Sequence, residues 1–116
     1  MAIGSGNVIG GAEAAGLTAT GVSAAGTTQA TATQLYAEDS EVTTVASGAG
    51  VVMNALIQPG ESQTVFNVGA NPLKVYPPSG KSINAMSANA AMTLATNTGC
   101  LLKCISTTRV FGVLSA

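Results

Sequence analysis

Five clusters of turn-forming residues punctuate the chain after residue 46, and their spacing limits what it can fold into. They are Ser47-Gly48-Ala49-Gly50, Gln58-Pro59-Gly60-Glu61, Gly69-Ala70-Asn71-Pro72, Pro77-Pro78-Ser79-Gly80 and Thr96-Asn97-Thr98-Gly99. Gly and Asn tolerate positive φ and Pro presets φ, so each cluster interrupts a regular element. The intervening segments read as short strands: Val42 to Ala46, Val51 to Ile57, Thr64 to Val68, Leu73 to Tyr76, Ser82 to Met86, Met92 to Ala95, Cys100 to Ile105 and Val110 to Leu114. Strand starts recur roughly every 8 to 12 residues, the rhythm of an all-β sandwich or barrel rather than of βαβ units. Alternation supports this. Leu73 and Val75 share one face and Lys74 and Tyr76 the other; Leu101, Lys103 and Ile105 oppose Cys100, Leu102 and Cys104. The expected fold class is all-β: a small antiparallel β-sandwich, jelly-roll-like, or barrel domain over residues 41–116. Sandwich and barrel show the same period and turn spacing.

Residues 1–40 read differently. Up to residue 37 they hold one charge, Glu13, and one aromatic, Tyr36, with glycine at positions 6, 11, 16, 21 and 26. A period of five matches neither helix nor strand, and collagen requires glycine at every third residue. Each glycine costs roughly 0.5–1 kcal/mol against alanine inside a regular element, so five of them exclude one long helix or strand. The segment is expected to be an extended N-terminal arm, small and apolar enough to lie flat on another surface. Thr27 to Asp39 reads as either a short helix or a strand. Removal of residues 1–35 should then leave the domain folded.

A domain of about 75 residues buries only about 60–65% of its unfolded surface. The large aromatic core candidates here are Phe66, Tyr76 and Phe111. With no metal site or disulfide framework to compensate, a scaffold of this size is expected to stabilise itself by oligomerising. The net charge of −1 is small, and the charges are segregated: Glu13, Glu38, Asp39, Glu41 and Glu61 precede Lys74, Lys81, Lys103 and Arg109. Such a split suits head-to-tail or side-by-side subunit contacts, or simply supplies scattered solubilising charges. With 47% apolar residues the chain is not expected to be disordered. Four basic residues are too few for nucleic-acid binding. No apolar run reaches the roughly 18–20 residues of a membrane span, and the first residues lack a secretory pattern.

Chemistry is hard to place on this chain. Without histidine no Ser-His-Asp arrangement can form, and Gly4-Ser5-Gly6 has no strand before it to make a nucleophile elbow. Gly80-Lys81-Ser82 resembles the end of a phosphate loop, but Val75 stands where its first glycine belongs and Pro77 and Pro78 occupy the loop. Glu38, Asp39 and Glu41 lack the spacing of a calcium loop and read as solvating charges. On a regular strand the Cα atoms of Cys100 and Cys104 would lie about 13 Å apart, too far for a disulfide. They are expected to be reduced, buried small hydrophobes. No catalytic, cofactor-binding or metal-binding residue is assigned, and an enzyme is not expected.

The run from Val65 to Asn84, VFNVGANPLKVYPPSGKSIN, is the most distinctive stretch. With Ala88-Asn89-Ala90-Ala91 and the segment around Thr107-Thr108-Arg109-Val110, it resembles a pattern in small virion proteins of tailed bacteriophages. The likeness covers roughly residues 42–116 and excludes the glycine-period arm. Val110-Phe111 departs from the pattern's usual final strand. The resemblance implies a β-rich capsid decoration (cement) protein, usually a homotrimer, whose partners are itself and the major capsid protein. Its function would be structural: to decorate and stabilise a phage capsid by clamping adjacent capsomers, on the virion surface after synthesis in the host cytoplasm. The alternative is a head-fibre or tail-associated module that binds a host-surface glycan, with Tyr76 as the ring to stack on a sugar. Three prolines in the turns suit such a role, because stiff turns lower the entropy of the unfolded chain.

Overall fold

The computed structural model describes residues 17–115. They form ten strands and no helix: β1 (Thr18–Ser23), β2 (Thr33–Gln34), β3 (Asp39–Thr44), β4 (Gly50–Val52), β5 (Ser62–Asn67), β6 (Leu73–Tyr76), β7 (Ser82–Ile83), β8 (Met92–Leu94), β9 (Thr98–Cys104) and β10 (Arg109–Leu114). The all-β expectation holds, and each of the eight anticipated segments contains or overlaps a strand.

The pairing differs from the antiparallel sandwich, jelly roll or barrel expected. Consecutive strands from β1 to β9 alternate between a six-stranded sheet, β1-β3-β5-β9-β10-β7, and a four-stranded sheet, β2-β4-β6-β8. β1, β3 and β5 run parallel, as do β2, β4 and β6 and the pair β10 and β7. Only β5–β9, β9–β10 and β6–β8 are antiparallel. Both sheets are therefore mixed. Parallel neighbours need a crossover between them, usually a helix. Here each crossover contains a strand of the opposite sheet. A period of two is identical for parallel and antiparallel pairing, so the alternation could not reveal this.

The expected boundary at residue 40 also moves. Residues 17–40, assigned to the arm, contribute a strand to each sheet. Thr18 pairs with Asp39 in the first and Thr33 with Val51 in the second, while Leu35 is almost fully buried. Thr27 to Asp39 is neither one helix nor one strand: only Thr33–Gln34 (β2) and Asp39, the first residue of β3, are strand, and the rest is turn, bend or irregular. Residues 1–16, with Gly6, Gly11 and Gly16, lie outside the described residues. Gly21 adopts φ 69° where the register of β1 against β3 shifts between Ala19 and Val22. It thus marks a bulge that re-aims the strand.

The inner faces of the two sheets share one core. Val42, Val65, Cys100, Leu102, Cys104 and Val110 come from the larger sheet, and Val51, Leu73, Val75, Met92 and Leu94 from the smaller. No large aromatic side chain enters this cluster. Phe66 and Phe111, expected inside, are 44% and 51% exposed, because Phe66 alternates with buried Val65 and Asn67, and Phe111 follows buried Val110. Tyr76, also expected inside, is buried at 8% exposure but stands outside that cluster.

Candidate functional site

The polar residues of the distinctive run tie the fold together. Asn67 is fully buried; its Nδ2 donates to the carbonyls of Leu94 (2.9 Å) and Asn71 (3.0 Å), and its Oδ1 accepts from the Gly69 amide (2.9 Å). One side chain thereby joins the end of β5 to β8 in the other sheet. Asn71 donates to the Val45 carbonyl. Gly69 leaves room for Val45, whose Cγ2 would lie 2.6 Å from any Cβ added there. Asn84, at φ 54°, exchanges two hydrogen bonds with the backbone of Gly112. Asn89, at φ 70°, accepts from the Gly80 amide and from Gln29 Nε2. Outside the run, buried Gln63 accepts from the Asn54 amide and donates to the Ala37 carbonyl.

The positions considered for chemistry are occupied in the same way. The amides of Gly80, Lys81 and Ser82 donate to Asn89, Pro78 and Thr108 respectively, so they do not converge on an anion. Lys81 Nζ donates to the Thr107 carbonyl. Cys100 and Cys104 are free and buried, on the same face of β9, and burial pushes the Cys100 thiol up to about 12 against a weaker opposing hydrogen bond from Val65. Among the described residues no three His, Cys, Asp or Glu side chains gather as a metal site. Tyr76, offered as a sugar-stacking ring, is only 8% exposed, and its hydroxyl donates to the Thr27 carbonyl. That ring is unavailable to a glycan. Ser5 lies outside the described residues.

The surface that stands out is the outer face of the six-stranded sheet. Opposite the core-facing residues, β5 presents Thr64 and Phe66 with Val68 just beyond it; β9 presents Leu101 and Lys103, followed by Ile105; β10 presents Arg109, Phe111 and Val113. The register aligns these into rows. Asp39 of β3, Thr64, Leu101 and Val113 form one, and Glu41, Phe66 and Gly99 the next. The Phe66 ring lies over Gly99, where an added Cβ would meet it at 2.6 Å. Phe66, Val68, Leu101 and Val113 line an open groove of about 540 Å³. The Arg109 guanidinium sits 5.9 Å from the centroid of Phe111, a cation–π distance. Large apolar side chains clustered on one exposed face are the surface feature that interaction sites and ligand grooves share. The shared face of Leu101, Lys103 and Ile105, opposite Cys100, Leu102 and Cys104, was the sequence signal for it; that Phe66, Phe111 and Val113 join them follows only from the strand order.

Comparison of the chain with protein-family models, with curated proteins and with solved structures finds no match.

Proposed function

We propose that this chain is a structural virion protein that decorates and stabilises a tailed-phage capsid, assembled as a homotrimer that clamps adjacent capsomers. The observation that carries the reading is the exposed apolar face of the six-stranded sheet, which suits a protein built for permanent assembly. The resemblance of residues 65–84 to small phage virion proteins adds the kind of assembly. That run takes in the end of β5 with β6 and β7, and its asparagines serve as internal ties, as a rigid decoration module requires. The fold reading that accompanies this is a short β-solenoid: three turns, β1–β2, β3–β4 and β5–β6, stacked in parallel and closed by antiparallel β8, β9 and β10. Successive solenoid turns bury one another's faces, so a compact unit forms without large aromatic residues.

The test is to mix the purified protein with shells of its phage prepared without it. Saturable co-sedimentation at a fixed copy number per shell, with a higher shell-disruption temperature, is expected. Failure to bind any shell while a glycan array gives specific binding would replace this reading with the fibre or tail alternative.

A further inference from the structure

The charges that are segregated along the sequence are also segregated across this one face. Asp39 and Glu41 stand on β3, half-buried and on the opposite side of the strand from buried Ser40 and Val42. Lys103 stands on β9 and Arg109 on β10, both exposed. Between them lie Phe66 and Leu101, with Phe111 and Val113 continuing the apolar surface along β10. At about 4.8 Å per strand, β3 lies roughly 10 Å across the sheet from β9 and roughly 14 Å from β10, and the register offsets along the strands carry the acidic side chains farther still from Lys103 and Arg109. That exceeds the screening length of about 8 Å at physiological salt, so the two flanks neutralise each other little within one copy. The face thus runs from acidic through apolar to basic. A surface with this gradient lets the basic flank of one copy meet the acidic flank of the next, the head-to-tail contact from which a closed trimer is built.

We propose that the outer face of the six-stranded sheet is the contact between copies of this chain, with the acidic β3 flank of one copy against the basic β9–β10 flank of the next. Leu101, Val113 and the Phe66 ring form the dry centre of that contact, where desolvated apolar and aromatic side chains contribute most. Asp39, Glu41, Lys103 and Arg109 set the orientation. The assignment deepens the assembly reading above by naming the surface through which copies meet. A monomeric wild type would overturn this contact and the trimer together, assembly that the surface variants leave intact would overturn the contact alone, and shell binding tests decoration separately.

The experiment is light scattering across a dilution series on the full chain and three charge variants. Wild-type protein should have a mass of at least two chains of 11.3 kDa that persists on dilution. Lys103→Glu with Arg109→Glu makes both flanks acidic, and Asp39→Lys with Glu41→Lys makes both basic. Each pair should weaken self-association about tenfold or more. The chain carrying all four reversals should associate within about threefold of wild type, and an equimolar mixture of the two double variants should form mixed assemblies. If the half-buried β3 positions do not tolerate lysine, Lys103→Glu with Arg109→Glu and a separate Leu101→Glu, all at exposed sites, carry the test. A wild-type monomer up to about 100 µM, or assembly that neither the charge reversals nor Leu101→Glu weaken, overturns the proposal.

Discussion

Asn67 has no exposed surface and hydrogen-bonds three backbone groups: the Gly69 amide and the carbonyls of Asn71 and Leu94. Leaving buried donors and acceptors unpaired costs about 1–3 kcal/mol each. Allowing for relaxation and water entry, Asn67→Ala should lower stability by about 3 kcal/mol, read as a lower urea midpoint. The same change at Asn97, which is exposed, should cost far less. Cys100 gives a second residue-scale prediction. Its thiol is raised from an ordinary 9.0 to about 12 by burial, so the folded state keeps the proton where the unfolded chain releases it. Its contribution is complete below pH 9 and lost as pH rises toward 12, with a slope of about 1.4 kcal/mol per pH unit for the single group. Wild type should therefore lose stability faster than Cys100→Ala over that window. A thiolate-directed reagent at pH 8 should not label Cys100 until the protein is unfolded. Rapid labelling of Cys100 in the native protein would contradict its burial.

At the scale of the element, β1 and β2 decide how much of the chain is indispensable. The initial expectation was that removing residues 1–35 would spare the domain. In the fold this deletion removes β1 from β3 and β2 from β4, and takes Leu35 out of the core. The truncated chain should lose its cooperative thermal transition and its strand-type circular dichroism; a truncated chain that melts like wild type would sink the assignment of β1 and β2 to the sheets. Within β1, Gly21 sits at φ 69° with nothing within 4 Å of an added Cβ. Gly21→Ala should cost about 1 kcal/mol, from backbone conformation alone. Gly69→Ala should cost more, because the Cβ collides with Val45, and part of that cost should vanish in a Val45→Ala background. Strand existence was legible because Leu101, Lys103 and Ile105 alternate with Cys100, Leu102 and Cys104. Strand partners were not. The alternation says which side chains turn inward, and it is silent on whether the neighbouring strand runs parallel or antiparallel.

The whole molecule turns on how its apolar surface is divided between a core of small aliphatic residues and an outer face that includes Phe66 and Phe111. The asymmetry predicts behaviour in solution. A variant held monomeric by Lys103→Glu and Arg109→Glu should bind an apolar fluorescent dye more strongly than wild type at equal chain concentration, because the face that copies cover is then open. Equal dye binding would mean that the face is open in both. The candidate site was half legible. Segregated charges and the parity of Leu101 with Lys103 were visible in the sequence. Of the three aromatic core candidates, Phe66 and Phe111 face outward instead, and only Tyr76 is buried.

From the sequence alone came the all-β class, the turn positions and the inward set on β6 and β9, because these depend on local φ preference and on a period of two. The free, buried state of the two cysteines also followed from strand geometry. Tertiary structure alone decided that residues 17–40 belong to the two sheets, that most pairings are parallel, and that Asp39, Glu41, Lys103 and Arg109 share one face. Each of those facts depends on which strands are neighbours across long stretches of chain. A side-chain pattern records a residue's inner or outer face, but carries no record of the strand beside it.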